Sequence, residues 1–313
     1  MKRLLFFLII TFASPLLADD LPVLWLEAGK ENEFQTVVPG PQTIDWSLRF
    51  EHRVLDQGKA HETTYTQAMG HRILKIKTPP LKPGVMLNAQ LLIGDAPYRN
   101  VVIAPSDPFE DRETWFAEHP IALYDPNKTT IELFEEEEIP FKRLGSFAEI
   151  EAVENAVIVI GQGVDFEREK GLSELLFQKA ADGGTVLVAT PSGDIPLDYP
   201  PTIYSLTLNA EAKYLFPLAS GRMGGGKWTL QTKDDQLFLV VYTDSRFKMI
   251  TLGASLLDIR FADTRKGWEA VSTQSFGRII IDKELRFFNN VESRWYFKSL
   301  IETLTESLTR SQP

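Results

Sequence analysis

The chain contains no cysteine. That excludes disulfides, thiolate nucleophiles, thiolate metal sites and lipid attachment through an N-terminal cysteine. Histidine is scarce, with only His52, His61, His71 and His119 among 313 residues. No histidine follows His119, so the second half of the chain lacks the usual general base. Positive charge is also short: 33 Lys and Arg face 43 Asp and Glu, a net charge of −10. Phosphate backbones and anionic membranes are held by Lys and Arg surfaces. Nucleic acid is therefore not an expected partner. Beyond the N-terminus there is no apolar run of the roughly 20 residues that a spanning helix needs, so the mature form is expected to have no membrane span.

The N-terminus itself is apolar. Lys2 and Arg3 precede the run Leu4–Ala13, and SPLLA ends in Ala18 before Asp19 and Asp20. This order reads as a signal peptide over residues 1–18, cut after Ala18. A retained anchor is the alternative. Export of a large cysteine-free chain points to a periplasmic or secreted protein that relies on core burial. An apolar content of 43% and a charged content of 24% predict a folded, globular chain.

Residues 19–103 read as an all-β sandwich. Val23, Trp25 and Ala28 recur at or near period two, as do Ile44, Trp46, Leu48 and Phe50, and then Val85, Leu87, Ala89 and Leu91. Ile73 and Ile76 are less regular. Turn residues separate these runs, the mark of antiparallel strands. Roughly seven short strands suit a β-sandwich. The phrase TPPLKPGVMLNAQLLI is similar to immunoglobulin-like modules of bacterial envelope proteins. Residues 104–120, rich in Pro and Asp, read as a linker in which Trp115 and Phe116 pack on a neighbour.

From Ile121 the rhythm changes. IALYD, PFKRLG, Ala156–Gly161 and Thr185–Thr190 read as strands, the last two continuous apolar runs buried on both faces. Between them lie helices: one with Ile131 and Phe134, one opened by the capping box Ser146–Glu149, and one with Leu172, Leu175, Leu176 and Ala180 on a single face, stopped by Gly183. This alternation predicts a parallel sheet with helical crossovers. After an insertion, QLFLVVYTD, FKMITLGAS and Gly277–Asp282 read as further strands continuing the pattern. A last helix presents Phe297, Leu300, Ile301, Leu304 and Leu308. Glu135–Glu138 reads as a solvated helix end compensated by Lys142 or Arg143.

The segments AVIVIGQGVD, KAADGGTVLVATPSGD and GRIIIDKELRFFNN, taken in order, resemble the class I glutamine-amidotransferase-like superfamily, in its non-catalytic, envelope-type branch. The resemblance covers residues 121–310 and implies an α/β, flavodoxin-like three-layer domain. It departs where the chemistry lies. The family's nucleophile is a Cys in a Gly-x-Cys-x-Gly turn. Here the turn is ATPSGD, with Pro191 or Ser192 at that place, and the downstream His–Glu pair is missing.

Candidate ligand-binding residues collect at the strand ends, where open α/β sheets bind ligands. They are Tyr124 and Asp125; Gly161, Gln162, Gly163 and Asp165; and Thr190, Ser192 and Asp194. Ser192 is the one candidate nucleophile, but it lacks a histidine nearby in sequence. Asp125, Asp165 and Asp194 would converge on one edge and offer oxygen ligands to a hard cation. They serve equally as helix caps. The loop GRMGGGKW adds Arg222, Lys227 and Trp228 in a mobile hairpin or lid. It lacks the Gly-Lys-Ser/Thr ending of a phosphate loop. No catalytic residue, metal or cofactor is assigned. The expectation is a non-enzymatic binding or assembly protein whose partner is an envelope protein or a small ligand. The alternative is a hydrolase using Ser192 or a carboxylate-bound metal. A carbohydrate-associated accessory role for Trp228 is a third reading.

Overall fold

The computed structural model describes residues 23–39, 43–60, 62–66, 69–96, 98–197, 203–208, 227–233, 236–243, 246–249, 256–261, 277–283 and 285–311. The chain divides into two units, Met1–Glu110 and Asp111–Pro313.

The first unit is all-β. Its strands are β1 (Leu24–Glu27), β2 (Glu31–Pro39), β3 (Ile44–Phe50), β4 (Arg53–Ala60), β5 (Glu62–Thr66), β6 (Met69–Lys77), β7 (Leu87–Ile93) and β8 (Arg99–Ala104). They form a five-stranded sheet of order β1-β8-β7-β3-β4 and a three-stranded sheet of order β2-β6-β5. Alternation sends Trp46, Leu48, Ala89, Leu91, Val101 and Ile103 from the first sheet into one core with Leu74 and Ile76 from the second. Two expected faces are corrected. Val23 is 45% exposed, while Leu26 is 3% exposed. The run Val23–Leu26 is apolar at both parities, and parallel pairing of Leu26 with Ile103 decides which parity faces in. Likewise Leu74, not Ile73, joins Ile76 inside. Val85 lies ahead of β7 and is exposed.

The second unit opens with α1 (Arg112–Glu118), capped by the Asp111 carboxylate. The expected linker 104–120 thus contains a helix. Phe116 is buried, and the Trp115 indole N–H donates to Glu302 at 3.1 Å. There follow β9 (Ile121–Tyr124), α2 (Thr129–Glu136), β10 (Lys142–Leu144), α3 (Phe147–Glu151), β11 (Val157–Ile160), α4 (Leu172–Ala181), β12 (Thr185–Ala189), β13 (Ile195–Leu197), β14 (Ile203–Leu208), β15 (Lys227–Lys233), β16 (Gln236–Thr243), β17 (Arg246–Met249), β18 (Leu256–Phe261), β19 (Gly277–Asp282) and α5 (Val291–Ser311).

A seven-stranded sheet has the order β10-β9-β11-β12-β19-β18-β14. The strands β10, β9, β11, β12 and β19 are mutually parallel, and β18 joins β19 antiparallel. Both faces are covered, so β9, β11 and β12 are buried at every position. One face packs Ile158, Ile160, Val186 and Val188 against Leu172, Leu176, Phe177 and Ala180 of α4. The other is centred on the α2 residue Phe134, whose ring lies 5.4–5.7 Å from Phe287, Phe288 and the α5 residue Phe297. The expected capping box forms in half: Ser146 Oγ accepts from the Glu149 amide at 3.3 Å, but the Glu149 carboxylate accepts from Gly145, one residue before the cap, at 2.7 Å.

Two expectations are corrected here. β16 and β17 do not continue the parallel sheet; they belong to a separate antiparallel sheet of order β13-β15-β16-β17. Close sequence neighbours pair as hairpins, and apolar runs alone do not say which sheet receives them. Glu137 is compensated by Arg294, whose Nη2 lies 2.6 Å from Oε1, not by Lys142 or Arg143. No helix among the described residues is long and apolar enough to cross a membrane.

Candidate functional site

The loops that follow β9, β11, β12 and β19 meet at the C-terminal edge of the parallel strands. Asp125 follows β9 directly and is 3% exposed. Its Oδ2 accepts from the amides of Thr130 at 2.7 Å and Ile131 at 3.1 Å, and its Oδ1 accepts from Asn127 at 3.2 Å. Asp125 therefore caps the N-terminus of α2, where unpaired amides and the helix dipole favour a carboxylate. Gly161 makes room for it. A Cβ at Gly161 would lie 2.7 Å from the Asp125 side chain.

Gln162 is tied at both ends. Its amide donates to Thr130 Oγ1 at 2.8 Å, and its Nε2 donates to the Leu285 carbonyl at 3.1 Å. Thr190 Oγ1 donates to that same carbonyl at 2.6 Å and accepts from Arg286 at 3.2 Å. Thr190 has φ +42°, an unfavourable conformation for a β-branched residue. Such backbone costs about 1–3 kcal/mol and persists only where the surroundings over-determine it. Here the Thr190 amide donates to the Asp282 carbonyl at 2.6 Å, and its own carbonyl accepts from Gly163 at 3.0 Å.

The ATPSGD and GQGVD turns are laced together. Ser192 pairs with Asp165 as a short parallel bridge. The Ser192 hydroxyl donates to the Gly163 carbonyl at 3.1 Å. Asp165 accepts from the Glu167 amide at 3.0 Å and faces Arg168 at 3.1 Å. Gly193, at φ +71°, lies against it: a Cβ there would stand 2.7 Å from Asp165 Oδ1. The Asp194 amide donates to Glu167 at 3.4 Å. Tyr124 is buried at the end of β9, and its hydroxyl donates to Glu169 at 2.8 Å. Burial, reinforced by the Glu169 carboxylate, pushes the phenol well above the usual tyrosine range.

The structure thus gathers Tyr124, Asp125, Gly161, Gln162, Gly163, Asp165, Thr190, Ser192 and Asp194 on one edge. It does not gather the three aspartates as a cation site. Asp125 is turned into a helix and Asp165 onto Arg168, and no group of three metal-ligating side chains exists among the described residues. Arg222 lies outside the described residues, and so does the Gly-rich part of the expected hairpin. Lys227 and Trp228 open β15, paired with Tyr242 and Val241 of β16; their side chains are also outside the description. His119 sits just before β9, at the opposite end of the strands. Its Nδ1 is 2.8 Å from the Trp115 carbonyl and its ring stacks on Trp115.

Sequence reasoning missed the contribution of the loop after β19. Asp282 is 4% exposed and accepts from the Leu285 amide at 2.9 Å and the Tyr296 hydroxyl at 2.8 Å. Lys283 donates to the Pro191 carbonyl at 2.7 Å. The signal was present: GRIIID ends in an aspartate, as IALYD does. The exposed positions of this edge include Asn127, Gly163 and Arg286.

No family model matches the chain, and no curated protein matches it. Among solved structures, an amylomaltase from Corynebacterium glutamicum aligns with 50% of this chain and 22% of its own length, at 11% identity and a TM-score of 0.23. That likeness carries no argument about fold or activity.

Proposed function

We propose that this chain is an exported, non-enzymatic binding or assembly protein. In this reading an immunoglobulin-like sandwich precedes a flavodoxin-like domain of the class I glutamine-amidotransferase-like kind that has lost that family's chemistry. The five parallel strands support the fold assignment. Numbered in chain order they run 2-1-3-4-5, the flavodoxin order. In that arrangement the ligand crevice lies between the first and third strands, here β9 and β11, beside Asn127 and Gly163. The partner is a small ligand or an envelope protein engaged at this edge.

The observation that carries the non-enzymatic reading is the bonding of Ser192. Its hydroxyl is directed to a backbone carbonyl, and the second unit's own histidine, His119, lies at the opposite end of the strands. A serine nucleophile needs a base within hydrogen-bond reach and a third group to orient that base. A fluorophosphonate probe on the purified protein tests this. The expected result is no labelling, together with no glutamine hydrolysis. Labelling that disappears in Ser192→Ala would overturn the reading in favour of a serine hydrolase. The substitution itself removes one hydrogen bond and is expected to cost about 0.5–1.5 kcal/mol, so loss of folding will not mimic loss of chemistry.

A further inference from the structure

A groove of about 700 Å³ opens in the first unit, where the two sheets meet, and nothing in the proposed function uses it. Its walls come from β4 and from the second half of β6. β4 is the last strand of its sheet and pairs only with β3. β6 pairs with β2 along its whole length but with β5 only over Met69–Arg72. Residues 73–76 therefore have no paired strand on the side toward β4, and at Lys77 that side is closed by the Asp56 carboxylate of β4. Two strand edges face one groove, and neither has a neighbouring strand there among the described residues.

The floor is Trp46. It is 6% exposed and lies across from its strand partner Gly58. A Cβ at Gly58 would stand 2.9 Å from the Trp46 ring and 3.1 Å from its Nε1, so only glycine leaves this edge of the indole uncovered. The indole N–H has no acceptor among the described residues. The N–H is not sealed from solvent and opens into the groove, where an incoming acceptor can reach it.

Lysines outnumber carboxylates in the lining by three to two. Lys59, Lys75 and Lys77 line the groove with Glu33 and Asp56. The two carboxylates are already engaged. Asp56 accepts the amides of Gln57 at 2.9 Å and Lys77 at 2.6 Å, and Glu33 stands 3.6 Å from Lys75. Lys59 reaches only the exposed Asp45, at 3.8 Å, and the Lys77 ammonium has no carboxylate partner among the described residues.

We propose that this groove receives an extended acidic polypeptide segment of a partner, added as a strand along β4. Main-chain pairing on the free edge supplies affinity, as in other strand-addition complexes. A carbonyl of the incoming segment accepts from the Trp46 indole. Acidic side chains at every second position meet Lys59 and Lys77, since alternate residues of a strand share a face; Lys75 is already held by Glu31 and Glu33. Lysines also guard edge strands against self-association. That role accounts for the charge, but not for the concavity or the unfilled indole donor.

The test is fluorescence anisotropy with the full mature chain and a short labelled peptide alternating Glu and Val. The controls are a Lys-Val peptide and the Glu-Val peptide with alternate amides N-methylated. The expected result is binding of the Glu-Val peptide alone. The double variant Lys59→Glu/Lys77→Glu is expected to weaken binding at least about tenfold, since two favourable charge pairs become repulsive. Trp46→Phe, which keeps the ring and removes the donor, is expected to weaken it several-fold. Both lysines are exposed, so circular dichroism should find the double variant folded. Absence of binding, equal binding of the Lys-Val peptide, or an unchanged affinity in the double variant would overturn the proposal. Undiminished binding of the N-methylated peptide would overturn strand addition by leaving only charge.

Discussion

Tyr124 places a neutral phenol where the folded protein resists its ionisation. Its side chain is buried, its ring meets Phe147 edge-on at 6.0 Å, and its hydroxyl donates to Glu169. Ionisation would strand one anion in the core beside another. The pKa is raised in the folded state, so the neutral group's contribution to stability is whole below the unfolded value of about 10 and is lost as pH climbs above it. Chemical denaturation as a function of pH is expected to record that alkaline loss. Tyr124→Phe should make it smaller, while costing about 1 kcal/mol near neutral pH for the missing hydrogen bond. An alkaline limb of equal steepness in both proteins would refute this account. The same scale explains why the strand-ending aspartates were visible but misjudged. Asp125, Asp165 and Asp194 stand where the chain pattern puts them, in the loops of one edge. What they bind depends on which amides the next turn presents, and Asp125 meets the first amides of α2 instead of its fellow carboxylates.

At the scale of elements, α4 and β19 approach so closely that one position admits no side chain. A Cβ at Gly277 would lie 1.9 Å from the Ala180 carbonyl and 2.9 Å from that of Gly184. Both obstacles are backbone, held by the helix-ending bonds of Gly183 to Ala180 at 3.0 Å and Gly184 to Lys179 at 2.9 Å. Gly277→Ala is expected to destabilise the second unit by about 2–3 kcal/mol, because the strand and the helix must separate. Urea denaturation measures it, and a change within about 0.5 kcal/mol would show that the contact yields. Elements of this unit were the most legible part of the sequence. Val157–Ile160 and Thr185–Ala189 are short apolar runs that each follow a helix, and only a doubly covered strand tolerates such a run. Faces and partners were less legible. Val23–Leu26 carries apolar residues at both parities, so its inward side is chosen by pairing with β8. The strands β16 and β17 look like any others by composition, and their assignment to a second sheet rests on hairpin pairing that periodicity does not encode.

At the scale of the whole molecule, the change from period-two strands to alternating helices and buried strands marks where one core ends and another begins. The sequence puts that change within residues 104–120, and the two units divide between Glu110 and Asp111. The helix within those residues was not legible, because its seven residues follow a Pro- and Asp-rich stretch that imitates a linker. The packing of α1 assigns it to the second unit. Trp115 bonds Glu302 of α5, and Lys298 reaches the same carboxylate oxygen at 2.6 Å. A stable C-terminal fragment must therefore keep α1. Limited proteolysis of the protein, with N-terminal sequencing of the products, is expected to give a resistant fragment beginning at or before Asp111 and, on the proposed export, an intact form beginning at Asp19. The fragment should keep a mixed α/β circular dichroism spectrum and unfold cooperatively. A variant fragment starting at Pro120 lacks the α1 cover over α5 and is expected to melt several degrees lower, since about 1 kcal/mol moves the midpoint of a domain this size by roughly 2–4 °C. If the fragment from Asp111 is unfolded alone, the two units depend on each other for stability. If the shorter fragment melts at the same temperature, α1 is an appendage and the boundary lies after it.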